Sequence, residues 1–279
     1  MNDDLTITRS LRYGAAKLDS VSESPRLDAE LLLARALDVP RSYVIAHPED
    51  MLDTAAADRF SAAVQQRRSG MPLAYISGEK EFWSMRLIVS PATLVPRPET
   101  EILVEQALQR IPRRAALRVL DLGTGSGAIA AALASERPLC EIVATDRSEA
   151  ALAVARENAR LHQLPNIELV HGDWLDPVAG RTFDLVVSNP PYVPERSPDL
   201  ERLKHEPRIA LAAGEDGLDP IRVIVRDARA VVVPGGFLLL EHGAEMEDAV
   251  AALLGDSGWS EISCVNDLAE LPRVSIATK

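Results

Sequence analysis

From Leu117 onward, short β-branched apolar runs alternate with segments of helical spacing, and this alternation constrains the fold more than any other feature of the chain. It predicts strands at 117–122, 141–145, 167–170, 183–187, 236–240, 261–265 and 273–277. Helices are predicted at 127–135, 149–162, 218–232 and 245–254. Strands that alternate with helices in this way build an α/β, doubly wound sheet, which keeps its ligands outside the carboxyl ends of its strands.

Two of those strand ends carry chemistry. The first runs into Asp121-Leu122-Gly123-Thr124-Gly125-Ser126-Gly127, a glycine-rich turn leading into a helix. Glycines let the backbone approach a ligand closely, and a helix start offers free N–H groups to an anion. Gly123-x-Gly125-x-x-Ala128, with Asp146 at the distance of a ribose-binding acid, also fits a dinucleotide fingerprint, so the loop alone does not separate NAD from S-adenosylmethionine. Two neighbours favour the latter. Asp121 precedes the glycines, where a carboxylate suits the cationic amino group of a methionine moiety and repels a pyrophosphate. Gly172-Asp173-Trp174 follows the third strand and supplies a carboxylate acceptor and an indole face for an adenine.

The second strand end is Asp184-Leu185-Val186-Val187-Ser188-Asn189-Pro190-Pro191-Tyr192. Pro190 and Pro191 end the strand because neither donates a ladder hydrogen bond, and Asn189, preceding a proline, is pushed toward extended geometry. A polar side chain and the carbonyls after it are therefore held rigidly. Methyl transfer to a planar nitrogen has use for such a site. If the Asn189 side-chain oxygen and the Pro190 carbonyl accept the two N–H groups of an amide or exocyclic amine, the nitrogen becomes a better nucleophile; Tyr192 offers a surface for the planar group. A simple strand-ending turn is the plainer reading of the tetrapeptide on its own.

The first eighty or so residues read as helical. Ser24-Pro25 starts one helix, with Asp28 and Glu30 near its positive end and Leu27, Leu31, Ala34 and Leu37 at inward spacing. Another spans 54–68, with Ala57, Phe60, Ala63 and Val64 facing inward. The predicted partition is a helical docking or capping domain at 1–70, a linker with a β-hairpin at 71–95, and a larger domain at 96–279. In the segment Pro96-Arg97-Pro98-Glu99, Arg97 or Glu99 faces the cofactor or forms an exposed pair at a helix start. The long loop after Asn189, reaching about Gly217, is expected to act as a lid over substrate, with Glu206-Pro207 and Gly214-Glu215-Asp216-Gly217 as ordered turns.

Composition narrows the partners. The net charge of −12 counts against a large phosphate-binding surface. No apolar run reaches membrane-spanning length, the start lacks the basic and apolar regions of a secretion signal, and a cytoplasmic monomer without membrane or stable nucleic-acid contacts is expected. Cys140 and Cys264 read as reduced thiols, and the five scattered histidines give no metal-ligand spacing.

In family order, Pro72-Leu73-Ala74-Tyr75-Ile76, Pro96-Arg97-Pro98-Glu99-Thr100-Glu101, the 121–127 loop, Val187 to Tyr192, Glu206-Pro207 and Gly214 to Leu218 resemble the glutamine N5-methyltransferases of peptide chain release factors, the PrmC/HemK family of class I methyltransferases. The resemblance spans nearly the whole chain, although Asn-Pro-Pro-Tyr alone is shared with adenine-N6 DNA methyltransferases. It implies a seven-stranded, Rossmann-like sheet, S-adenosylmethionine held by Gly123, Thr124, Gly125, Ser126, Gly127, Asp146 and Trp174, and a substrate glutamine held by Asn189, Pro190, Pro191 and Tyr192. The implied partner is a class I release factor, modified in its Gly-Gly-Gln loop. The run Leu268-Ala269-Glu270-Leu271-Pro272-Arg273 departs from the family's Gly-Arg-Asp-Arg-like segment.

Overall fold

The structure, a computed structural model, describes residues 5–279, and the chain divides into two compact units at Glu79/Lys80. The first unit is helical: α1 (Ile7–Leu18), α2 (Pro25–Leu37), α3 (Arg41–Ala46), α4 (Thr54–Arg68) and α5 (Leu73–Ser77). Thr6 caps α1 by accepting from the Arg9 amide, and Asp53 caps α4 by accepting from Ala56 at 2.6 Å. Ile7, Leu11, Leu32, Leu33, Phe60 and Val64 form its core.

Two expectations change here. Helix α2 buries Ala34 and packs Leu37 on the core as its spacing suggested, but Leu27 and Leu31 are 39% and 37% exposed, while Ala29, Leu32, Leu33 and Ala36 are buried. Leucines lie on every side of α2, so periodicity does not choose a face, and the buried sector also holds two acids. Each acid is neutralised where it lies, Asp28 by Arg67 at 2.8 Å and Glu30 by Arg26 and Arg41 at 2.7 and 2.8 Å. The glycine- and proline-punctuated stretch at 70–78 contains α5, whose Leu73 and Ile76 pack on this core, so the helical unit extends beyond residue 70.

The second unit opens with a hairpin, β1 (Glu79–Phe82) and β2 (Met85–Ile88), turned at Trp83 and Ser84, both at positive φ. Then come α6 (Thr100–Arg110), β3 (Arg118–Leu122), α7 (Ala128–Glu136), β4 (Glu141–Asp146), α8 (Glu149–Leu161), β5 (Ile167–His171) and β6 (Phe183–Ser188). The chain continues through α9 (Asp199–Arg202), α10 (Asp219–Val231), β7 (Val232–Glu241), α11 (Glu247–Asp256), β8 (Ser260–Asn266) and β9 (Pro272–Thr278). Seven strands form one sheet in the order β5-β4-β3-β6-β7-β9-β8, parallel except for β9, which is antiparallel to both its neighbours.

The period of two along the strands sorts side chains between two helical layers. Val119, Leu185, Val187 and Leu239 face a core shared with α6 and α7. Leu120, Val186, Leu238 and Leu240 face α10 and α11. The chain builds β3-β4-β5 outward and then returns to lay β6 on the other side of β3. Strand order therefore reverses between β3 and β6, where a doubly wound sheet opens a ligand crevice.

Candidate active site

A cavity of about 550 Å³ lies at this crevice, and both predicted strand ends reach it. On one side is the glycine loop. Gly123 and Gly125 line the cavity at φ of 70° and 57°, in the left-handed region that favours glycine. A Cβ on Gly123 would stand 3.4 Å from the Trp174 ring, so the glycine lets the indole close the cavity wall. Gly127, at φ 79°, faces away: a Cβ there would meet the Ala155 backbone at 3.3 Å, and the close approach packs the start of α7 on α8.

The loop is held by buried polar contacts. Asp146, ending β4, takes the Gly125 amide on one oxygen and the Ser148 amide on the other, each at 2.8 Å. Asn158 of α8 is fully buried; it accepts from the Ile88 amide and donates to the carbonyls of Ile88 and Ser126, at 2.7, 2.9 and 2.8 Å. One side chain thus joins β2, α8 and the glycine loop. Asp121 lies beneath the loop, fully buried and off the cavity wall. Its Oδ2 accepts from the Thr124 hydroxyl at 2.6 Å, while its Oδ1 has no partner among the described residues. Burial pushes its pKa up to about 7 against the Thr124 hydrogen bond.

Asn189 and Pro191 line the opposite wall, directly after β6. The side-chain Nδ2 of Asn189 donates to Thr100 Oγ1 at 3.0 Å, and Thr100, the first residue of α6, is itself buried. Pro190 is buried behind this wall. Tyr192 is not part of the cavity lining; its carbonyl oxygen would stand 2.5 Å from a Cβ on Gly217, and burial raises the pKa of its phenol.

The loop after Tyr192 is folded back on itself. Val193 and Leu211 pair at 2.9 Å, Glu195 donates its amide to Gly214 O at 2.8 Å, and α9 and a short 3-10 turn lie between. Glu206 anchors the whole loop: its carboxylate accepts from the Val95 amide at 2.9 Å and pairs with Arg97. Arg97 and Arg208 line the cavity, and the Arg97 charge is taken up by Glu206.

The wall carries Asp146, Asp173 and Asp219, and of its arginines Arg97 and Arg208 are paired with Glu206 and Glu195, so carboxylates remain for a cationic group of a ligand. The loop glycines, the indole of Trp174 and the carboxylates of Asp146 and Asp173 form a set that fits S-adenosylmethionine.

Residues 98–205 match the Methyltransferase small domain family and residues 10–78 match the PrmC N-terminal domain. The chain is 46% identical over 275 residues to a release factor glutamine methyltransferase of Coxiella burnetii, covering 99% of both chains. It is 44% identical to the release factor glutamine methyltransferase of Escherichia coli K12, over 95% of this chain and 96% of the relative. This chain belongs to the release factor glutamine methyltransferase family. A methyltransferase crystal structure from Pyrococcus furiosus shares its fold, with a TM-score of 0.55 at 20% identity, over 78% of this chain and 97% of that one.

Of the residues singled out from sequence, the cavity of this glutamine methyltransferase gathers Gly123, Thr124, Gly125, Ser126, Asp146, Asp173, Trp174, Asn189 and Pro191 on its wall. Asp121, Gly127, Pro190 and Tyr192 stand behind that wall. Thr100 and Asn158 carry no signal of their own in the sequence, although Thr100 lies inside the Pro96–Glu101 family segment. A buried Asn and a helix-starting Thr look ordinary until the fold brings their partners, 70 and 89 residues away, beside them.

Proposed function

We propose that this methyltransferase acts on the side-chain amide nitrogen of the glutamine in the Gly-Gly-Gln loop of class I peptide chain release factors, working as a cytoplasmic monomer. The observation that carries the reading is the commitment of Asn189 Nδ2 to Thr100, which leaves the carbonyl end of Asn189 for a substrate at the cavity wall. The 121–127 loop, Asp146, Asp173 and Trp174 would hold S-adenosylmethionine, with Asp121 bracing the loop from below through Thr124. That cofactor brings a methyl group on a sulfonium, an electrophile for a nitrogen placed in line with it.

The chain's own residues prepare the nitrogen. Asn189 Oδ1 and the Pro190 carbonyl accept its two N–H groups, raise the electron density on the nitrogen and orient its lone pair toward the methyl. Both acceptors are fixed before substrate arrives, so little reorganisation opposes the transition state. Pro191 and Tyr192 stiffen the turn that carries them. The new carbon–nitrogen bond would replace the methyl–sulfur bond, whose electron pair stays on sulfur as a neutral thioether, and the amide proton would then leave to water, so no dedicated base is needed.

The test is mass spectrometry of a purified class I release factor after incubation with the protein and S-adenosylmethionine, with unmethylated DNA in parallel. One added methyl group on the Gly-Gly-Gln glutamine is the expected result. Methyl gain on DNA alone would assign the site to base amines.

A further inference from the structure

Beside Asn189 the sheet buries a carboxylate that the chemistry above leaves idle. Glu241 ends β7, the strand next to β6, and is 1% exposed. Among the described residues its Oε2 has no hydrogen-bond partner, although the Thr100 hydroxyl and the Asn189 side chain lie beside the carboxylate. A half-satisfied buried acid at the reacting wall calls for a reason.

We propose that Glu241 is a positioning residue for methyl transfer: its carboxylate keeps the NH2 end of Asn189 turned into the protein and the carbonyl end turned toward the substrate. The inference rests on Asn189 serving as the acceptor for the substrate amide. The two ends of an asparagine amide have nearly the same shape and differ in that one donates and the other accepts. Thr100 alone does not choose between them, because a hydroxyl both donates and accepts. An ionised carboxylate only accepts. Turning the Asn189 carbonyl toward it would set two acceptors face to face in a buried site and present an NH2 group to the substrate's own N–H. Glu241 therefore decides the orientation that Thr100 permits.

Protonation removes that choice, since a carboxylic acid also donates. Burial raises the Glu241 pKa to about 7, with Thr100 and Arg273 opposing and Glu99 reinforcing the rise. The charged and titratable groups facing it are Glu99 before α6, Arg273 on β9 and Tyr192 after β6. Arg273 is held by Asp267 at 2.8 Å, and the adjoining His242 bonds Ser275 Oγ and Gly243 O. Turnover limited by this orientation falls as pH drops through the neutral range.

The experiment is kcat and KM against pH for the full-length enzyme with purified release factor and S-adenosylmethionine, comparing wild type, Glu241→Gln, Glu241→Asp and Asn189→Ala. Wild type is expected to gain kcat as pH rises through about 7. Glu241→Gln is expected to lose about tenfold in kcat, to hold KM within about twofold, and to lose that pH-dependent rise, which Glu241→Asp restores in part. A folded Glu241→Gln enzyme with wild-type kcat and an unchanged profile overturns the proposal, as does a change in KM alone. If the Gln variant does not fold, a wild-type kcat that is flat between about pH 6 and 8 does the same. Near-normal turnover by Asn189→Ala is a separate outcome and overturns the reading of Asn189 itself.

Discussion

Asn189 and Asp121 are both polar residues at strand ends, and their surroundings set them different tasks. Asn189 reaches the cavity, so truncating it removes an interaction that strengthens as charge shifts onto the substrate amide. Asn189→Ala is expected to lower kcat by roughly 10²-fold with little change in KM, in steady-state kinetics with release factor. Asp121 reaches no solvent, and its burden is thermodynamic. Its folded pKa of about 7 lies above the ordinary 3.8, so the folded state holds a proton that the unfolded chain releases, and stability declines as pH rises from about 4 to about 7. Asp121→Asn should therefore raise the unfolding midpoint at pH 8 by more than at pH 4, while S-adenosylmethionine binds more weakly by calorimetry. Asp121, Asp146 and Asn189 were legible in the sequence because each sits in a short local motif. Thr100, Asn158 and Glu241 were not, because what makes them matter is a partner brought in by the sheet.

At the scale of elements, the strands of the sheet were readable because a parallel strand buried on both faces is a continuous apolar run, and the helices between them carry one apolar face each. The first unit was harder. Helix α1 buries Ile7, Ser10, Leu11, Gly14 and Leu18 at helical spacing, with a serine and a glycine among them, whereas α2 carries leucines on every side, so periodicity did not choose its face. Asn158 shows what the elements depend on. Asn158→Ala leaves the Ile88 amide and two carbonyls without their partner, and is expected to cost about 2–4 kcal/mol in denaturant unfolding, with weakened cofactor binding. Gly217 limits the loop after Tyr192 in a simpler way. It sits at φ 80°, with the Tyr192 carbonyl 2.5 Å from any added Cβ, so Gly217→Ala should destabilise the fold by roughly 1–3 kcal/mol in the same measurement.

For the molecule as a whole, each unit has its own buried core, and the cavity is lined entirely by residues of the second. Residues 80–279 are expected to retain S-adenosylmethionine binding by calorimetry and to methylate intact release factor with a KM raised about tenfold or more, if the helical unit serves in docking. The atypical 268–273 segment does not disturb the sheet. Asp267 accepts from the Ala269 and Leu271 amides and pairs with Arg273, closing the β8–β9 turn, and Leu268 stands fully in solvent. The anchoring of the loop by Glu206 has a further consequence, in time. Val95 and Glu206 are separated by 111 residues, and at synthesis rates of about 5–20 residues per second the first emerges from the ribosome several seconds ahead of the second. The helical unit, complete by residue 79, has that interval in which to fold. A nascent chain halted before Glu206 carries the glycine loop but cannot fasten one wall of the cavity to the other, so this contact adds nothing to the early stages of folding.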